Sequence, residues 1–214
     1  CCPSQISRFL PSVGNYIYGV SADALWVNLY IGNTAEFEVN RKQVKLRQET
    51  NYPWDGAMTL ILESVFAGDI RLRLPDWCKS YTIAVNGETV ASPVVEKGYA
   101  VLKRKWKADD RITLTLDMPV EVVAADPHVK ENIGKRAVQR GPLVYCAEQA
   151  DNQHFTLIAL NSDTKFNASF NSELLNGVET ITALFPDGKQ FMLIPYYAWD
   201  NREAGEMKVW IDHK

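Results

Sequence analysis

Residues 23–39 read DALWVNLYIGNTAEFEV. Leu25, Val27 and Leu29 alternate with Trp26, Asn28 and Tyr30, and beyond a turn at Gly32-Asn33 the alternation resumes at Phe37 and Val39. Successive side chains of an extended backbone point to opposite faces, so a period of two marks strands with one apolar face. Similar stretches recur at 44–49, 59–65, 70–74, 81–86, 99–105 and 112–116, with turn residues between them. The sharpest turn signal is Asn86-Gly87, because both residues tolerate the positive φ of a tight hairpin. Many short strands of this kind predict an antiparallel sandwich.

A second series follows at 137–139, 143–147, 155–160, 178–184, 191–195 and 207–211, and residues 125–134 between the series read as a linker. Before residue 23 the period changes: Ile6, Phe9, Leu10, Val13 and Ile17 recur at helical spacing, and Pro3 stands where a first turn accepts proline. Pro11 removes a backbone donor inside this pattern, which predicts a kink or an early stop near Leu10. The chain therefore reads as mostly β, with a short helix over 1–19, a first antiparallel β-sandwich over 20–122 and a second over 123–214.

A length of 214 residues suffices for two small cores, and 46% hydrophobic with 23% charged residues excludes a disordered chain. A formal charge of -3 gives no general attraction to nucleic acid. The local basic cluster Lys103, Arg104, Lys105 and Lys107 reads as a solvated strand edge, where lysines discourage edge-to-edge pairing. No stretch approaches the roughly 20 apolar residues of a membrane-spanning helix. The sequence opens Cys1-Cys2-Pro3 without a methionine, which reads as a processing boundary with further sequence upstream.

Cysteines stand at positions 1, 2, 78 and 146. Cys78 and Cys146 lie in apolar, strand-like surroundings, where a free thiol packs as a small hydrophobe. Cys1 and Cys2 are different, since thiols just ahead of a Pro-initiated helix sit where backbone amides favour the thiolate, the form that binds zinc and attacks electrophiles. Two thiols do not complete a tetrahedral centre, and His128, His154 and His213 are too scattered to do so. The carboxylates show no pairing that would mark an acid and a base. Trp26, Trp54, Trp77, Trp106, Trp199 and Trp210, with Tyr196-Tyr197, could stack on sugar rings, although aromatics at strand positions more often fill a core.

Four ordered stretches carry a resemblance: Cys1-Cys2-Pro3 with Arg8, Gly14 and Tyr16-Ile17-Tyr18; Leu74-Pro75-Asp76-Trp77-Cys78; Gln139-Arg140-Gly141-Pro142-Leu143-Val144-Tyr145-Cys146; and Ile194-Pro195-Tyr196-Tyr197-Ala198-Trp199 with Gly205-Glu206-Met207 and Val209-Trp210. Together they make the chain resemble glycoside hydrolase family 127, the β-L-arabinofuranosidase family, along its whole length. The resemblance implies an (α/α)6 catalytic barrel followed by β-sandwiches, with residues 1–19 as the last helix of that barrel. It implies that Cys1 is the catalytic nucleophile, forming a glycosyl-cysteine with net retention. It further implies that Cys1 and Cys2 are zinc ligands, and that the other donors, a glutamate and a third cysteine, lie upstream with the acid/base glutamate. The chain departs from the family pattern at Pro11 and at Asp109-Asp110, where a Gly-Asp turn is expected.

The implied parent is a retaining hydrolase of β-L-arabinofuranosides or related plant glycans, with zinc in the full-length protein and none expected in this portion. This chain is then its accessory region, not a complete enzyme, with the upstream barrel as its partner. A carbohydrate-binding module and a purely structural or homodimer-forming region are the competing readings. Neither nucleic acid nor membrane is an expected partner. For residues 1–18 the expectation is a frayed or loosely docked helix.

Overall fold

A computed structural model describes residues 2–39 and 41–214, and the fold is mostly β. The chain divides between Asp117 and Met118 into two units. The first opens with α1 (Cys2–Phe9), a 3-10 turn at Leu10–Ser12 and α2 (Gly14–Ile17). The α-helical ladder stops one residue ahead of Leu10, as a proline at position 11 requires. Ile17 is the buried residue of α2, and its carbonyl accepts the Asn28 amide at 2.8 Å, which ties the helical segment to the first sheet.

Eleven strands follow among the described residues: β1 (Tyr18–Val20), β2 (Ala24–Val27), β3 (Asn33–Val39), β4 (Lys42–Thr50), β5 (Ala57–Leu62), β6 (Phe66–Arg73), β7 (Tyr81–Val85), β8 (Glu88–Thr89), β9 (Val94–Glu96), β10 (Tyr99–Trp106) and β11 (Arg111–Leu116). They form two sheets, in the orders β1-β2-β6-β10-β9 and β3-β4-β5-β11-β7-β8. The inward positions of both sheets supply one core, including Leu25, Val27, Leu46, Leu60, Leu72, Trp106, Ile112 and Leu114. Trp106 is fully buried and its indole N–H donates to the Gly68 carbonyl at 3.0 Å, so its polar edge is satisfied inside the core. Gly68 is required there: a Cβ would stand 2.5 Å from the Asp23 carbonyl oxygen.

Two details differ from a uniformly antiparallel sandwich read residue by residue. β2 and β6 pair in parallel. Leu29 and Tyr30 fall outside any strand, and the Tyr30 hydroxyl turns inward to donate to the Arg73 carbonyl at 2.5 Å. The hairpin at Asn86-Gly87 forms with φ of 53° and 84°. Asn86 also braces the turn at 107–110: its amide donates to Asp110 Oδ1 at 2.8 Å, while Asp110 Oδ2 accepts the Lys107 amide at 2.8 Å. These two hydrogen bonds, that from Lys107 first, hold the Asp110 carboxyl below its ordinary range. Asp109 takes φ 66°, the left-handed conformation that a glycine would adopt without strain. The basic cluster lies on an edge as expected, because β9 pairs only with residues 99–101 of β10.

The second unit holds β12 (Val120–Ala124), β13 (Lys135–Arg140), β14 (Leu143–Glu148), β15 (Ala159–Leu160), β16 (Lys165–Asn171), β17 (Val178–Leu184), β18 (Gln190–Pro195), β19 (Met207–Lys208) and β20 (Ile211–His213). Its strands run in one hydrogen-bonded order, β15-β20-β13-β14-β18-β17-β16, with β12 beside β13 and β19 beside β14, and β15 pairs with β20 in parallel, a second departure from the antiparallel expectation. The pairing of β12 with β13 gathers residues 120–124 into this unit, so the division falls ahead of Val122 and residues 125–134 form a connection inside the unit. Residues 155–157 form a 3-10 turn and not a strand.

Period two is followed closely in the central strands of this unit. Tyr145 and Ala147 of β14 and Leu193 of β18 face one apolar cluster, while Cys146 of β14 and Ile194 of β18 face a second. Both faces of the sheet are therefore covered. The second cluster is closed by Ala198, Met207 and Val209, so the segment after β18 returns as a strap over the outer face.

Candidate functional site

Cys1, read as nucleophile and zinc ligand, lies outside the described residues. Cys2 opens α1 with an exposed, free thiol. A thiolate there has the softness that zinc prefers. Among the described residues, however, no three His, Cys, Asp or Glu side chains gather as a metal site. His128 is engaged locally, its Nδ1 2.7 Å from Asp126 Oδ1. The described residues thus offer one suitable sulfur and do not by themselves make a zinc centre.

Behind Cys2, α1 buries none of its residues. Ile6 is 58% exposed, Phe9 57% and Leu10 65%, on the helical face that the sequence pattern marks as apolar. Phe9 and Tyr16 approach each other, with ring centroids 6.2 Å apart, but Tyr16 is itself exposed. The sequence expectation is a frayed or loosely docked helix; α1 is formed, and its apolar side is bare.

Sequence reading treated the carboxylates as scattered and missed an ionic cluster in the second unit. Arg202 Nη2 pairs with Glu148 Oε2 and also donates to Asp151 Oδ2 at 2.5 Å, while its Nη1 pairs with Asp151 Oδ1. Glu148 and Asp151 side chains are 8% and 7% exposed, so two carboxylates and one guanidinium share a nearly dry site. Glu148 Oε1 also accepts the Asp200 amide at 2.9 Å. The buried side chain of Asn152 secures the 3-10 turn carrying Asp151, donating to the Glu148 carbonyl at 2.7 Å and accepting the Met192 amide at 2.8 Å. The one available signal in the sequence was phase: Glu148 lies two residues after Cys146 and so on the same face of β14.

This cluster anchors the strap, and the strap presents an aromatic turn. Ala198 is buried beneath it, while Tyr196 and Trp199 lie outside with rings nearly parallel, 8° apart, and centroids separated by 6.0 Å. Of the six tryptophans, Trp106 is core, and Trp54 and Trp199 are the exposed ones, each at 39%. A separate cavity of about 760 Å³ in the second unit is bordered by His154, Phe185, Asp187, Lys189, Phe191 and Lys214, a mixture of charges without a convergent set of reactive groups.

Cys146 has the buried, strand-borne place that its surroundings in the sequence suggest, whereas Cys78 lies in the connection between β6 and β7, outside any strand, and is half-buried. Cys146 is fully buried, and its thiol is pushed up to about 12 by burial first and then by the nearby charges of Glu148 and Asp151. Burial also raises the Cys78 thiol, which donates to the Ser80 carbonyl at 3.0 Å.

Comparison with known proteins bears on this geometry. Residues 24–118 match the family model described as beta-L-arabinofuranosidase, GH127 middle domain, and residues 120–212 match the glycoside hydrolase family 127 C-terminal domain. A non-reducing end beta-L-arabinofuranosidase of Bifidobacterium longum subsp. longum is 34% identical over 242 residues, spanning 98% of this chain and 36% of that protein. The crystal structure of Ara127N-Se, a GH127 beta-L-arabinofuranosidase from Geobacillus stearothermophilus T6, is similar with a TM-score of 0.91 and 41% identity. It covers 100% of this chain, which spans 37% of that one. A second solved GH127 beta-arabinofuranosidase gives a TM-score of 0.92 at 37% identity, with 38% of its chain spanned. The chain therefore covers little more than a third of the relatives it matches.

Two outcomes follow from the buried groups. Replacing Arg202 by alanine leaves Glu148 and Asp151 buried without their cation and is expected to cost about 3–5 kcal/mol, read as a lower urea midpoint for the second unit. For Cys146 the folded state keeps its proton to about pH 12, whereas the unfolded thiol loses it near 9. Its contribution to stability is thus intact below about pH 9 and declines as pH rises from there toward 12. A Cys146→Ala comparison in chemical denaturation at pH 8 and pH 10 should show the wild type losing more stability over that step. Equal losses would contradict it.

Proposed function

The chain belongs to glycoside hydrolase family 127, whose middle and C-terminal domains it carries, and on that premise we propose that it is the accessory β-sandwich region of a retaining hydrolase of β-L-arabinofuranosides or related plant glycans. The observation that carries this reading is the bare apolar face of α1, directly behind the cysteine pair. Ile6, Phe9 and Leu10 supply one side of a helix–helix contact whose other side lies in residues outside this chain. That partner is a helical catalytic barrel, and it supplies the acid/base group.

In the longer protein Cys1 is the nucleophile. Its thiolate forms a bond to the anomeric carbon as the glycosidic C–O bond breaks, and the leaving oxygen takes a proton from an acid outside this chain. Water then displaces sulfur from the same carbon, with the conjugate base accepting its proton. Two inversions give net retention. Zinc held jointly by Cys1, Cys2 and donors outside this chain would keep these thiols ionised. The role of α1 is positional: its first residue, Cys2, follows Cys1 directly, so docking the helix fixes where the pair stands.

The test uses the longer polypeptide. Cys1→Ser is expected to lower turnover of an aryl β-L-arabinofuranoside by about 10³-fold or more. Elemental analysis should find zinc in stoichiometric amount in the longer protein and none in residues 1–214 alone. Undiminished turnover by the serine variant removes the nucleophile, and a metal-free, fully active longer protein removes the zinc.

A further inference from the structure

We propose that the parallel Tyr196–Trp199 pair is a stacking platform for a sugar ring of a neutral glycan. Its assignment to arabinose-containing chains rests on the hydrolase reading above. The platform itself rests on four features of the second unit.

The first is geometry. The rings stack on one another, 8° from parallel with centroids 6.0 Å apart, and Tyr196 is 47% and Trp199 39% exposed. The face of an aromatic ring carries negative potential, which suits the C–H face of a sugar.

The second is rigidity. The Trp199 amide donates to the Tyr196 carbonyl at 3.2 Å, and the Asn201 side chain donates to the carbonyls of Ala198 at 3.1 Å and Trp199 at 3.0 Å. Beneath the turn, Ala198 packs with Cys146 and Ile194, while the Asp200 amide and Arg202 are fastened to Glu148 and Asp151. Rings held in place before binding lose little entropy when a ligand arrives.

The third is size. Large aromatic side chains bury about 150–250 Å² each, so two rings exposed to this degree present on the order of 200 Å². A protein partner needs about 800 Å² per side, whereas one or two sugar rings need no more than the platform offers. This favours a glycan over a protein.

The fourth is charge. Asp200, which directly follows Trp199, and Glu203, four residues beyond Trp199, are exposed, and carboxylates accept hydrogen bonds from hydroxyl groups. Of the two cations of the strap, Arg202 is committed to Glu148 and Asp151, and Lys208 reaches the Phe155 carbonyl and ring. Such a rim suits a neutral polyol and repels uronates.

The 214-residue chain is titrated calorimetrically, and by tryptophan fluorescence, with neutral arabino-oligosaccharides and with oligouronates. Saturable binding of the neutral oligosaccharides alone is expected. Trp199→Ala and Tyr196→Ala should each weaken it by about tenfold or more. Tyr196→Phe, which keeps the ring, should retain it, as should Trp54→Ala in the other unit. Thermal unfolding of each variant close to wild type shows that the loss is local. Absence of saturable binding at about 10 mM sugar, equal binding of uronates, or binding that survives both alanine variants would overturn the proposal. None of these results touches the hydrolase reading, which stands or falls on Cys1 in the longer protein.

Discussion

The rest of the account depends on the apolar side of α1, where Ile6, Phe9 and Leu10 stand in water on a helix of eight residues and the turn after it. Helices this short are marginal in isolation and owe their stability to packing of an amphipathic face. Here the ladder is formed, yet no residue of α1 is buried. Its first residue is one of the paired cysteines, so the same surface that lacks a partner also sets the position of the proposed chemistry. Family membership gives that surface a meaning, since the relatives extend well beyond the 36–38% that this chain spans.

Behind α1 the chain is built on alternation. In β2, Leu25 and Val27 go inward, and in β14 Tyr145 and Ala147 go one way while Cys146 and Glu148 go the other. In the second unit both faces are covered, and a face that contains Glu148 needs a cation. Arg202 provides it from 54 residues away, and in doing so fixes the strap that presents Tyr196 and Trp199. A core requirement and an exposed aromatic surface are thus joined through one guanidinium.

Much of this was legible in the sequence because the signals are local. Period two located the central strands, Asn86-Gly87 located a hairpin, and Pro11 located the end of α1. What escaped depends on distant partners. Whether β2 pairs with β6 in parallel is decided by the course of the chain between them, which local propensity does not encode. By contrast, β16 reads KFNASFN, an edge strand whose polar and apolar residues alternate regularly, a period-two signal that was present in the sequence and passed over. The cluster of Glu148, Asp151 and Arg202 could not be seen because its members meet only after the strap folds back. The paired cysteines were conspicuous, but their chemistry was legible only through resemblance, since two adjacent thiols do not specify the remaining donors.

The most direct test of the central claim is amide hydrogen exchange over residues 2–17, compared between the 214-residue chain and the longer polypeptide that contains it. If the bare face of α1 is one half of a contact with the catalytic barrel, these amides exchange rapidly in the short chain and become strongly protected in the long one. Equally rapid exchange in both would show that α1 has no partner there, and the accessory role argued from it would fail.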